Sequence, residues 1–281
     1  MSLILPIGAS VLQAASFTVD KMILSLKRVT YKTYVGISFP LIFFITLIIF
    51  FMFKPPLSWG LFAGNAIYFM LVLVILVIIG NLIFYRTLKA EKISEVETLS
   101  LLGQITLVIY SGIIFSDERK PFIIFLALLC SASVIWSHWR KDHIQIPKKT
   151  KLYLFWSILI APFTMIITNH LLKTWNPISL ELVRNGLVAL VFGPLFLRYE
   201  RKASGKALLL LVITNILTTI AWILYFFSYQ QLGIIQTVLI FSLQPLLVYF
   251  ASIFWLKEKL HWKKFVSFLI ILVSIIISMI V

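Results

Sequence analysis

Residues 62–85 read FAGNAIYFMLVLVILVIIGNLIFY, a run without a single charged side chain. A helix crossing a bilayer needs roughly 20 apolar residues in succession. The run is uniformly apolar rather than alternating over about ten residues, so it is no β-barrel strand. The rest of the chain repeats the pattern. Of its 281 residues 61% are hydrophobic and 15% aromatic, mean hydropathy is +1.03, and only 12% are charged. Soluble chains carry about a quarter charged residues, and a soluble core of this composition would leave wide apolar faces in water. The chain therefore reads as an all-α polytopic membrane protein.

Working outward from 62–88, apolar runs broken by charge or turn residues give ten segments, near 4–26, 33–53, 62–88, 94–116, 121–139, 152–173, 178–197, 207–231, 235–256 and 265–281. Ten spans use about 200 positions and leave room for short loops only. Pro121 and Pro177 fall at expected first helical positions, where a missing amide donor costs nothing. No Lys or Arg precedes Lys21, so the first segment reads as a retained helix rather than a signal peptide. The lone Cys130 excludes an intrachain disulfide.

The net charge of +15 has no continuous basic face, so it points to membrane orientation and not to nucleic acid. Odd-numbered loops hold Lys27, Arg28, Lys32, Arg86, Lys89, Lys92, Arg140, Lys141, Lys148, Lys149, Lys151, Arg198, Arg201, Lys202, Lys206, Lys257, Lys259, Lys263 and Lys264. Even-numbered loops hold only Lys54, Arg119, Lys120 and Lys173. Short basic loops stay cytoplasmic, which places both termini outside.

The most polar stretch, 140–151, divides the spans five and five. Sliding one half over the other by 140 residues puts Tyr85 on Tyr225, Leu99 on Leu239, Gln104 on Gln244 and Glu118 on Glu258. Polar coincidences weigh most, because polar residues are rare inside spans. Five is odd, so a duplicated five-helix unit enters the membrane in opposite senses, the inverted repeat of many secondary transporters. The expected organisation is a first repeat at 1–139, a basic cytoplasmic linker at 140–151 and a second repeat at 152–281.

At these residues the chain resembles the drug/metabolite transporter superfamily, and within it the EamA-type ten-helix proteins. The family has two five-helix repeats, each with a mid-span Pro helix, a Gly-Glu-Arg turn and a last helix. Here the second copy reads Ser242-Leu243-Gln244-Pro245, then Leu256-Lys257-Glu258-Lys259. The first reads Leu102-Gly103-Gln104-Ile105, then Ser116-Asp117-Glu118-Arg119. Ala15-Ser16-Phe17-Thr18 and Ala161-Pro162-Phe163-Thr164 resemble the family's opening helices. Ile105 departs from the pattern in place of Pro, and neither Glu118 nor Glu258 follows a Gly.

Charged groups inside spans are costly and ask for a reason. Asp20 and Lys21 read as an interfacial anchor at the end of the first helix, with Lys21 snorkelling. Glu181 and Arg184, three apart, face one another as a structural pair or present Arg184 to a substrate. Gln104 and Gln244 offer amides for a polar solute or for interhelical bonds. Tyr85, Tyr225 and Trp222 pair a flat apolar surface with a polar tip, suited to a pocket wall or to the core. Asn169, with Asn81 and Asn215, is a weaker candidate. Gly60 and Gly64 read as a GxxxG packing site at the start of the third span. Glu91, Glu95 and Glu97 beside Arg86, Lys89 and Lys92 read as a solvated, partly self-paired loop end or as a gate at the cytoplasmic mouth.

Four His, three Asp and one Cys, without HExxH, Walker or GxSxG motifs, give no support to catalysis. No cofactor or metal is expected. The expected function is secondary transport of a small polar or amphipathic metabolite across the cell membrane by alternating access, driven by a proton or solute gradient. The expected partners are that small molecule and membrane lipids. The metabolite class comes from the resemblance alone. The rival is a lipid-handling protein or intramembrane enzyme whose cavity opens sideways to the bilayer.

Overall fold

The computed structural model describes residues 3–27, 29–137, 139–140, 143–144, 148–199, 204–257 and 261–280. Glu258, Lys259, Arg201 and Lys202 lie outside them. The helices are α1 Ile4–Ser25, α2 Tyr31–Phe53, α3 Ala66–Ala90, α4 Ile93–Ile114, α5 Pro121–Ser137, α6 Lys151–Leu159, α7 Ala161–Leu172, α8 Pro177–Tyr199, α9 Gly205–Leu232, α10 Ile234–Phe241, α11 Leu243–Leu256 and α12 Trp262–Ile280. The basic linker adds a two-residue antiparallel pairing of Trp139–Arg140 with His143–Ile144.

Helix lies over each apolar segment, and among the described residues six stretches are long and apolar enough to cross a membrane. They are Tyr31–Phe53, Ala66–Ala90, Glu95–Ile114, Lys151–Leu172, Gly205–Leu232 and Ile234–Trp255. α1 and α8 carry buried polar groups: Gln13, Ser16 and Asp20 on one, Glu181, Arg184 and Asn185 on the other. The distribution is inverted relative to a soluble protein. Phe44, Ile48 and Phe51 of α2 and Tyr68, Leu71 and Ile75 of α3 are exposed, while charged and amide groups are buried. Such an apolar exterior requires lipid around it, and the chain is a multi-pass integral membrane protein.

Two helices are interrupted, for a covalent reason. Pro245 has no N–H to offer Phe241, and its ring crowds that carbonyl. α10 therefore ends at Phe241 and α11 restarts at Leu243, with the Ser242 amide folding back to Val238 O at 3.0 Å and Leu239 O at 3.2 Å. Pro162, at the first turn of α7, marks the matching break from α6 at Ile160. α4 carries Ile105 where α11 has Pro245, keeps its N–H, and runs unbroken.

Helix ends are closed by side chains. Pro177 and Pro121 open α8 and α5, and Asn176 Oδ1 accepts the Ile178 amide at 2.9 Å. Lys21 of α1 donates to Leu88 O at 2.7 Å and Glu91 O at 2.5 Å, the free carbonyls ending α3. Lys89 of α3 returns the contact to Leu24 O and Leu26 O at the end of α1. Lys21 is thus a reciprocal helix cap and not a snorkelling anchor. Gly60 and Gly64 precede α3; Gly64 has φ +61° with open space about it. They shape the turn into α3 and are not a packing seam.

α1 packs on α9, α10 and α11; α6 and α7 pack on α3 and α4. α2 lies against α8, α5 against α12, and α4 against α10 and α11. α4 meets α6 at backbone distance, where a Cβ on Gly103 would stand 2.4 Å from Ser157 O.

Candidate functional site

Every helix except α5 and α12 contributes to one central cavity of about 300 Å³. Pockets of this size and larger take small molecules. Its walls are mostly apolar and aromatic, and three groups of polar side chains interrupt them.

The first group joins α4 to α10 and α11. Ser242, at the helix break, donates to Gln104 Oε1 at 2.5 Å. Gln244 Nε2 donates to Glu97 Oε2 at 2.9 Å. Glu97 is 2% exposed, and its Oε1 takes no hydrogen bond. Both glutamines line the cavity, yet each also bridges two helices.

The second group sits on α8. Arg184 Nη2 lies 2.6 Å from Glu181 Oε1 and 2.8 Å from Oε2, and only the latter contact has hydrogen-bond geometry. Asn185 Nδ2 adds a bond to Oε2 at 2.6 Å. The guanidinium also lies over Phe226 and Trp222, 5.3 and 5.9 Å from their ring centroids. The pair is therefore held by carboxylate, amide and aromatic faces together.

The third group zips α1 to α9. Thr218 donates to Gln13 Oε1 at 3.0 Å, and Gln13 Nε2 is left without a partner. Behind it Asp20, 1% exposed, accepts from Tyr34 at 2.5 Å and Thr214 at 2.6 Å. Asp20 is an interior group satisfied by hydroxyls, which corrects its reading as an interfacial anchor. Asp20, five residues before the last residue of α1, is inside because Tyr34 of α2 and Thr214 of α9 cover it.

Aromatic rings fill the space between. Tyr225 packs 4.4 Å from Phe241 and 5.3 Å from Trp222, and its hydroxyl meets that of Tyr229 at 3.0 Å. Across the cavity Phe84 lies 5.1 Å from Tyr85, 5.7 Å from Tyr153 and 5.0 Å from Phe17.

Of the residues singled out from sequence, Gln104, Gln244, Tyr85, Tyr225, Trp222, Arg184 and Glu181 line this one cavity, as does Asn81. Asn169, half-buried on α7, does not, and Asn215 is buried elsewhere on α9. His170 is exposed and stacks edge-on with Phe69. The acidic cluster after α3 splits: Glu95 pairs with Lys264 at 2.6 Å, whereas Glu97 is buried in the cavity wall. α4 begins at Ile93, so Glu97 is a full turn into the helix and not in a solvated loop. Helical spacing would have revealed it. Glu97, Ser100 and Gln104 share a stripe at i, i+3, i+7, as do Gln13, Ser16 and Asp20. Among the described residues no cluster of three or more His, Cys, Asp or Glu could hold a metal.

Residues 148–280 match the model of the EamA-like transporter family. No curated protein matches the chain. Among solved structures, one named only "Crystal structure of protein" superposes with a TM-score of 0.73 over 97% of this chain and 94% of its own, at 11% identity. That likeness shows a shared fold.

Proposed function

With residues 148–280 matching the EamA-like transporter family, consistent with the drug/metabolite transporter superfamily and so with a membrane transporter of that kind, we propose that this chain is a secondary carrier moving a small polar or amphipathic metabolite by alternating access. The carrying observation is one cavity walled by both halves at the place where all helices but α5 and α12 converge. A carrier must hold cargo where neither gate alone exposes it, and the interface between repeats is that place.

The proposed architecture is ten spans in two inverted repeats, 1–139 and 152–281, with α6–α7 and α10–α11 each counting as one span. The packing supports it. Exchanging the two halves turns the contacts of α1 with α10 and α11 into those of α4 with α6 and α7, and those of α1 with α9 into those of α3 with α6. It returns α2 with α8, and α5 with α12, to themselves. The excess of Lys and Arg on odd loops supports termini outside and the 140–151 linker in the cytoplasm. A proton or solute gradient supplies the energy in this reading.

The test is a panel of labelled metabolites offered to proteoliposomes in both directions. At least one should move, and Val77→Trp, which pushes bulk into the cavity from α3, should stop it while the protein still inserts. Movement undiminished by filling the cavity would overturn the proposal.

A further inference from the structure

The charges facing the cavity do not balance. Arg184 is matched by Glu181 on the same helix, and Asn185 adds a hydrogen bond to the same carboxylate oxygen. Glu97 has no such partner. It is 2% exposed, Oε2 receives one amide hydrogen bond from Gln244, and Oε1 receives none. A carboxylate taken out of water needs a cation or further donors, and one neutral amide is weak compensation. Lysines on the flanking helices are engaged elsewhere: Lys89 on the carbonyls ending α1, Lys264 on Glu95.

The surroundings of Glu97 match the missing partner. Tyr85 and Tyr153 line the same cavity as Glu97, and Phe84 bridges them at 5.1 and 5.7 Å between ring centroids. Aromatic faces attract cations, most strongly where water is excluded. An anionic cargo would meet repulsion here, and a neutral one could donate a hydrogen bond to Oε1 but would leave the charge unmatched.

We infer that the cavity is built for an organic cation, an ammonium on a small apolar body, with its charge on Glu97 and its body against Phe84, Tyr85 and Tyr153. This rests on the carrier reading for its biological sense, though not for the binding itself. On entry the ammonium N–H groups fill the vacant Oε1, and no covalent step is involved.

The experiment separates the two ideas. Binding of 2-phenylethylamine, 2-phenylethanol and phenylacetate, which share a similar body and differ in charge, is measured on the purified full chain at pH 7 by quenching of tryptophan fluorescence. The amine should bind at least tenfold tighter than the alcohol, and phenylacetate most weakly. In Glu97→Gln the amine should lose tenfold or more while the alcohol is unchanged. Equal binding of amine and alcohol by the wild-type protein, absence of saturable amine binding, or an amine affinity untouched by Glu97→Gln overturns the inference. The wild-type series decides alone if the variant fails to fold. Charge-selective binding without movement in proteoliposomes would sink the carrier reading and leave this one standing. Movement of neutral or anionic solutes through the cavity, without selection for the amine, would do the reverse.

Discussion

Removing the Glu118 side chain should destabilise the second half of the protein although Glu118 belongs to the first. Its carboxylate accepts the Ile234 amide at 2.7 Å through Oε1 and the Ile235 amide at 3.1 Å through Oε2. These are two of the unpaired donors at the start of α10, and Ile234 and Ile235 are both fully buried. Bonds to a charged acceptor contribute about 1.5–3 kcal/mol each. Glu118→Ala should therefore cost about 3–5 kcal/mol, and Glu118→Gln, which keeps one acceptor oxygen, about half.

The neighbour that makes this contact possible is Gly233. It holds φ +80° and ψ 175° at the head of α10, a region nearly closed to other residues at a cost of about 1–3 kcal/mol. A Cβ there would stand 2.3 Å from Glu118 Oε1. Gly233→Ala thus adds backbone strain and also evicts the carboxylate. In a Glu118→Ala background only the strain remains, so the two substitutions should couple by about 3 kcal/mol, the worth of the cap. The assay is denaturant unfolding of the detergent-solubilised protein, followed by fluorescence of its eight tryptophans. Costs that add to within about 0.5 kcal/mol would refute the reasoning.

Other outcomes follow from the same geometry. Gln244→Leu should destabilise more than Gln104→Leu in thermal unfolding, because it strips Glu97 of its one hydrogen bond, whereas Ser242 keeps Val238 O at 3.0 Å when Gln104 is lost. Gly103→Ala should cost about 1–3 kcal/mol by forcing α4 off Ser157, read as a lowered midpoint. Arg184→Ala should cost about 3–5 kcal/mol by stranding buried Glu181, and an Arg184→Ala, Glu181→Leu double variant should recover most of it. Cysteine labels at position 149 should react from the cytoplasmic face and labels at 54 and 120 from outside; reaction of 149 and 54 from one face would break the proposed topology.

The helices were legible because lipid imposes a single requirement, a continuous apolar run, and this composition states it plainly. Much of the cavity was legible too, since Gln104, Gln244 and Arg184 stand out against oil. Glu97 and Asp20 were misread for a shared reason. Each lies close in sequence to lysines, and proximity to charge suggested a wet boundary. Tertiary cover by neighbouring helices decided otherwise, and Lys21 and Lys89 proved to serve carbonyls of the opposite helix. Asn169 failed in the other direction. Its polarity was evident, but the face of α7 turned to the cavity carries Ala161, Pro162, Thr164 and Met165 instead. Which face points inward depends on helix rotation, which no single residue reports.

Among the described residues two helices are broken, α6–α7 and α10–α11. Both fall in the second half, at Pro162 and Pro245, and residues 148–280 are the part that matches the family model. In α4, Ile105 keeps its N–H and the helix runs unbroken, whereas α10 and α11 part just before Pro245. The two arrangements then solve one problem by different means. In α11 the break brings the Ser242 hydroxyl to the α4 seam, where it reaches Gln104. From unbroken α4 the Glu97 carboxylate accepts from Gln244. The unbroken helix at this seam is the one that carries the buried carboxylate. That carboxylate gives the cavity its unbalanced negative charge.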